Sequence, residues 1–239
     1  MPQDNPAYKR ILLKLSGESL LGNLSHGIEF DAARTIAADI RDIHALGVQI
    51  AVMIGGGNIF RGNAGIKTGM DRVAADYMGM LATIMNGIAL EEALDKERVD
   101  AVHVSAIEIK QVADPFIRKK VCRNLEEGRV VIFSAGIGSP YFTTDTAAAL
   151  RALEIGAEVI LKATKVDGVF SDDPLRNKAA KKFSSISYLE FIRMGLKVMD
   201  TTSISLCKDN NLPIIVFNLH KKGNLKNAVL GKKIGTIIN

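Results

Sequence analysis

What most narrows the folds open to this chain is the rhythm of its apolar segments. Short runs rich in leucine and β-branched residues, at 8–15, 48–54, 99–105, 129–134, 158–162 and 213–217, alternate with stretches whose apolar residues recur at helical spacing. The runs are bounded by Gly, Asp or Pro, as strands buried on both faces of a parallel sheet tend to be. Between the first two runs, Ile36, Ile40 and Ile43 mark a helix, with Asp31 expected as its N-cap and Gly47 at its end. Residues 70–94 read as the longest helix, with Met70, Met78, Met80 and Met85 expected mainly as core packing. A further helix spans 144–155, opened by Thr144 and Asp145 and closed by Gly156. Strands alternating with helices predict an α/β fold: a mostly parallel sheet with helices on both faces.

Composition closes off several other classes. The 239 residues suit one domain, and the only weak boundary is the polar stretch 171–185. With 47% hydrophobic and 24% charged residues, disorder is excluded. The uninterrupted apolar runs fall far short of the ~18 residues of a membrane helix. The start, MPQDNPAYKR, lacks the apolar region of a secretory signal, so a cytosolic protein is expected. Cys122 and Cys207 form no CxxC pair, and the four histidines show no ligand spacing, so no side-chain metal site is expected.

Four segments fall where an open α/β sheet collects ligands, at the carboxyl ends of its strands. The first is Lys14-Leu15-Ser16-Gly17-Glu18, whose lysine interrupts an apolar run, where an ammonium is costly unless it meets an anion. The second is Gly55-Gly56-Gly57-Asn58 with Arg61 behind it. Three glycines let the backbone approach a ligand and turn N–H groups toward an anion, and a guanidinium grips phosphate through two N–H groups. The third runs from Gly136 to Asp145 and enters a helix, whose N-terminus favours anions. The fourth, Lys162 to Phe170, brings a second lysine to a strand end. Lysines and carboxylates together suit phosphoryl transfer, which needs positioning and charge neutralisation more than a covalent intermediate. The common frameworks fail: no lysine stands in GxxxxGK[ST], and Phe60 and Tyr141 occupy the third glycine position of the two GxGxxG candidates.

ILLKLSGE, IGGGNIFRG, SAGIGSPYFTTD, LKATKVDGVFSDDP and the LKVMD ending at Asp200 follow one another in the order seen in the bacterial uridylate kinases of the amino acid kinase superfamily. The resemblance runs from about Tyr8 to Ile238, and the GMLATIMNG stretch is also typical. It implies a three-layer αβα sandwich, assembled as a homohexamer, that moves the γ-phosphoryl of ATP to UMP with Mg²⁺ carried on the phosphates. It implies one domain over 1–239, with a UMP-binding lobe at about 8–165 and an ATP-binding lobe at about 166–239. Lys14 and Lys162 would neutralise the moving phosphoryl group, with Asp145 orienting them and Asp200 in support. Lys14, Leu15, Ser16, Gly17, Gly57, Arg61, Thr164, Phe170 and Asp173 match ATP-side positions. Gly56, Arg61, Asp76, Ile137, Gly138, Ser139, Pro140, Tyr141, Phe142, Thr143 and Thr144 match UMP-side positions. Ile137 and Ser139 stand where the family's uridine loop often has Thr and Asn, so only backbone contacts carry over there. The family also implies activation by GTP and inhibition by UTP through Gly22, Asn23, Leu24, Ser25, His26 and Gly27.

A different class of function is suggested by charge. Residues 176–239 hold 12 basic and 3 acidic residues, a net +9, against 19 and 23, or −4, for residues 1–175. Such a segment suits a nucleic-acid-binding regulator or a solvated basic face, but no helix-turn-helix or aromatic platform accompanies it. A sister kinase acting on acetylglutamate, aspartate or carbamate is a further alternative.

Overall fold

The computed structural model describes residues 5–62, 65, 69–174 and 176–239. Nine strands hydrogen-bond into one sheet: Arg10–Leu15 (β1), Gln49–Ile54 (β2), Ala101–Ser105 (β3), Asp114–Pro115 (β4), Val130–Ser134 (β5), Val159–Thr164 (β6), Ser185–Ile186 (β7), Ile214–Asn218 (β8) and Thr236–Ile238 (β9). Their order is β4-β3-β5-β2-β1-β6-β8-β9-β7, and among the described residues only β8 and β9 pair antiparallel. The six longest strands lie on the six predicted runs. The short strands β4, β7 and β9 were not anticipated, because two or three residues are too few to carry a period.

The helices are Phe30–His44 (α1), Arg72–Lys96 (α2), Arg118–Glu126 (α3), Thr144–Ile155 (α4), Tyr188–Arg193 (α5), Thr201–Asp209 (α6) and Asn224–Val229 (α7), with a 3₁₀ turn at Gly17–Leu20. Side chains alternate across each strand, so β1 serves two cores at once. Ile11, Leu13 and Leu15 join Ile50, Val52 and Ile54 under α1, the end of α2 and α7. Leu12, Ala51, Met53 and Ile160 face α3, α4, α5 and α6. Helices thus cover both faces of a single sheet, the αβα arrangement that the β-α alternation implied.

Two local expectations are corrected. Asp31 lies inside the first turn of α1 and Glu29 is the N-cap, without a side-chain cap bond. Of the methionines on α2, Met80 is buried, but Met78 and Met85 are exposed beside Tyr77, Leu81 and Ile88. This helix is long and apolar enough, by length and composition alone, to cross a bilayer. One of its faces is buried, Leu90 and Leu94 against the sheet and Ile84 against Ala135 just beyond β5, and the other is an apolar stripe open to solvent.

The chain reverses direction across the sheet at β1. The strands formed before residue 135 extend to one side of it, and β6, β8 and β9 to the other. Ligands bind at such a switch point, outside the carboxyl ends of the strands.

Candidate active site

In the β1–β6 pairing Lys14 stands directly beside Lys162, and the pleat turns both toward the face covered by α4. The first turn of α4 supplies Asp145 between them. Its Oδ1 accepts a 2.5 Å hydrogen bond from Lys162 Nζ and lies 3.2 Å from Lys14 Nζ. Lys14 is only 4% exposed and also donates to the Leu15 carbonyl at 3.3 Å. Burial alone would raise the Asp145 pKa, but the two ammonium groups outweigh it and hold the carboxyl at about 2. Burial pushes Lys162 down to about 8, assisted by the positive charge of Lys14 and opposed by Asp145. Two cations thus share one carboxylate at the strand tips, with the charge of Asp200 also acting on Lys162, and an anion arriving there would meet both ammonium groups.

Two helix N-termini point at the same region. Thr143, not Thr144 or Asp145, is the N-cap of α4: its hydroxyl accepts from the N–H groups of Asp145 and Thr146 at 3.0 and 3.1 Å. That hydroxyl donates in turn to Asp200 Oδ2 at 2.5 Å, and Thr146 Oγ1 donates to Asp200 Oδ1 at 3.0 Å. Asp200 is itself the N-cap of α6, accepting from the Ser203 N–H at 2.9 Å. One carboxylate therefore ties α4 to α6 and so fixes the helix end that carries Asp145.

The glycine turn after β2 packs directly on its neighbours. A Cβ on Gly56 would lie 2.8 Å from the Gly79 carbonyl oxygen and 3.1 Å from the Thr83 nitrogen, both in the backbone of α2. Gly17 is equally confined, 2.7 Å from the Gly55 carbonyl oxygen. Arg61 donates from Nε to the Gly57 carbonyl at 3.2 Å and pairs with Glu18, which also holds Lys165 at 2.9 Å. The Lys165 hydrogen bond leads in lowering the Glu18 pKa, with Arg61 adding to it against a smaller opposing effect of burial.

Two clefts flank this cluster along the chain. Gly56, Gly57, Asp76, Ile137, Ser139, Phe142 and Thr144 line the first, and Thr144 is followed by Asp145. Gly138, Pro140, Tyr141 and Thr143 belong to its rim loop. Gly138 adopts a φ of +83° with no room for a side chain beside the Ala106 carbonyl, and Tyr141 is held at +72°. The Tyr141 N–H donates to Asp76 Oδ2 at 2.7 Å, which also accepts from Arg72 Nε at 2.8 Å, and the Arg72 guanidinium lies over the Tyr141 ring. Phe170 and Asp173 line the second cleft with Arg176, Met194, Leu196 and Lys197.

Several expected positions stand apart from the clefts. Leu15 buries its side chain in the core, leaving only its backbone at the site. Ser16 Oγ caps the 3₁₀ turn by accepting the Glu18 N–H. Thr164 Oγ1 is turned to the carbonyls of Val166 and Phe217. Residues 22–27 line neither cleft, and Gly27 is instead clamped to Asn58 through both its backbone groups. Sequence reasoning overlooked Glu18, Lys165, Arg72, Thr83 and Asn86. All but Arg72 lay inside motifs already noted, but pairings such as Glu18 with Lys165, 147 positions apart, are reported by no local pattern.

Comparison with known proteins adds to this geometry. The sequence profile of the amino acid kinase family matches residues 9–218. The fold superposes on a UMP kinase from Bacillus anthracis with a TM-score of 0.93 at 39% identity, covering 97% of this chain and 96% of that one. A UMP kinase from Ureaplasma parvum gives 0.90 at 38% identity, covering 97% and 98%. A uridylate kinase from Archaeoglobus fulgidus gives 0.72 at 27% identity, covering 96% and 99%.

Proposed function

The chain belongs to the amino acid kinase family, and from that premise we propose that it is a UMP kinase, transferring the γ-phosphoryl of ATP to UMP to give UDP and ADP for pyrimidine nucleotide synthesis. The observation that carries the reading is Asp145 shared between Lys14 and Lys162 at the strand tips, next in the chain to Thr144 of the first cleft. Phosphoryl transfer spreads charge over the equatorial oxygens of the moving group, and fixed ammonium groups stabilise that charge without reorganisation. Lys14 and Lys162 take this role, Asp145 orients them, and Asp200 holds the helix that presents Asp145. Free N–H groups of the turns at Ser16–Gly17 and Gly56–Gly57 cradle the phosphates, and Arg61 contributes its guanidinium.

UMP is assigned to the cleft lined by Gly56, Asp76 and residues 137–144, and ATP to the one lined by Phe170 and Asp173. The same proposal divides the chain into a UMP-binding lobe over about 8–165 and an ATP-binding lobe over about 166–239. Arg176 and Lys197 at the second cleft favour reading the basic C-terminal segment as a surface for a triphosphate rather than for nucleic acid. Mg²⁺ neutralises phosphate charge when bound. We read the cation as one carried on the ATP phosphates, with Lys14 and Lys162 sharing the neutralisation of charge.

The exposed apolar stripe of α2 supports self-association, which we extend to the family's homohexamer. Regulation by GTP and UTP through residues 22–27, and a cytoplasmic location, belong to the same reading. The test is a coupled assay of ADP formation from MgATP across UMP, CMP, dUMP, acetylglutamate, aspartate and carbamate, with and without GTP and UTP. ADP that depends on UMP supports the proposal. Preference for one of the three non-nucleotide acceptors would reassign the chain to a sister activity.

A further inference from the structure

Helix α2 turns two buried polar side chains toward the strand tips. Thr83 Oγ1 donates to the Met80 carbonyl at 2.6 Å and accepts the Ala135 N–H at 2.7 Å, at the start of the loop after β5. One turn later comes Asn86, fully buried. A primary amide buried without partners is strongly unfavourable, so what this one touches is informative. Its Nδ2 donates to the Gly55 carbonyl and to Asn58 Oδ1, both at 2.7 Å. Asn58, 3% exposed, donates back to Asn86 Oδ1 and also to the Gly27 carbonyl, both at 2.9 Å. The Gly27 N–H closes the set on the Asn58 carbonyl at 2.9 Å.

All four amide hydrogens are used, and each side chain must offer its nitrogen to a backbone carbonyl, so neither amide can be flipped. The pair has no slack on its other side: a Cβ on Gly17 would strike Asn58 Oδ1. Thr83 borders the first cleft, but neither Asn58 nor Asn86 lines it or the second. The glycine turn is instead gripped from behind, at Gly55, by a helix whose side chains also hold the loop after β5.

We propose that Asn86 is a positioning residue: through Asn58 and the Gly55 carbonyl it sets where the turn 55–57 stands, and hence where the N–H groups of that turn meet a phosphate. The inference rests on the reading of the turn as a phosphate cradle. If the two amides merely filled space, replacing both by apolar groups of like shape would cost little, since a satisfied buried polar pair gains little over well-packed apolar groups.

Asn86→Leu preserves shape and removes both donors. The expected result is a folded protein whose kcat, per nucleotide site titrated by calorimetry, falls roughly 10–100-fold, the cost of misplacing a positioning group by about an ångström. The KM for UMP should rise less than kcat falls. Asn58→Ala should behave alike, and Asn58→Ala/Asn86→Ala should be no worse than the more severe single variant, because the two act as one unit. Amide exchange should quicken at 55–58 and 27 while β1, β2 and β5 keep their protection. Parent kcat per titrated site in these variants, at full or reduced titre, would overturn the proposal, since a structural role lowers only the number of working sites. Should Asn86→Leu not fold, Asn58→Ala carries the same comparison. The exchange measurement needs no substrate. A parent lacking UMP-dependent ADP formation would therefore sink the functional reading alone, and unchanged exchange at 55–58 would sink this one.

Discussion

Asp145 faces two ammonium groups with one carboxylate, and the burial of Lys162 sets how the centre responds to pH. Lys162, pushed down to about 8, is charged at neutral pH and loses its proton above it. Since kcat/KM reports the free enzyme, it should fall on the alkaline side with a midpoint near pH 8, and a profile flat to pH 9.5 would contradict the role given to Lys162. Stability moves the other way. Between about 8 and the ordinary 10.5 the unfolded chain holds a proton that native Lys162 has lost, so this group makes stability rise with pH across that window. Asp145 contributes stability that is full above its ordinary 3.8 and is lost as pH falls through about 2. Lys14→Ala should lower turnover by ~10²–10⁴-fold with the fold retained, the usual loss for one transition-state charge contact. Steady-state kinetics alongside circular dichroism would check it.

Helix ends and turns determine whether those side chains meet. The register of β1 against β6 puts the lysines abreast, and the Thr143 cap with its Asp200 partner sets the angle at which α4 delivers Asp145. Thr143→Val removes a cap and one donor to a carboxylate, so a loss of about 1–2 kcal/mol in urea unfolding is expected, together with reduced kcat. Gly56→Ala tests the packing of the glycine turn on α2. Its Cβ would press on backbone at Gly79 and Thr83, which cannot rotate away, so the turn must shift. Overpacking of this kind costs ~1–3 kcal/mol, and calorimetry should show weaker UMP binding. These elements were unequally legible in advance. The glycines and the helix start at 144 were visible, because turn and cap chemistry is local. Thr143 was passed over as the cap, since three adjacent residues, Thr143, Thr144 and Asp145, all fit that role by type.

Across the molecule, the face of α2 opposite Asn86 ends in an apolar stripe, with Met85 and Leu81 about half exposed. A stripe of five large apolar side chains on one helix is more than scattered surface hydrophobes, and a second copy of the chain is the occupant proposed above. Leu81→Glu/Met85→Glu should therefore lower the mass seen by light scattering at micromolar concentration. An unchanged mass would remove this stripe from the assembly contacts.

The class of fold and the chemical types at the site were legible from the residues alone. Period, glycine placement and a lysine stranded in an apolar run are all properties of neighbouring positions, and burial acts on them in the same way in any parallel sheet. Partnership was not legible. That Lys14 and Lys162 share Asp145, that Glu18 holds both Arg61 and Lys165, and that Asn86 answers Asn58 each follow from strand order and helix placement. The exposed methionines of α2 make the same point: a helix of 25 residues has two sides, and which one meets the sheet is settled by packing summed over the fold, not by any residue's own preference.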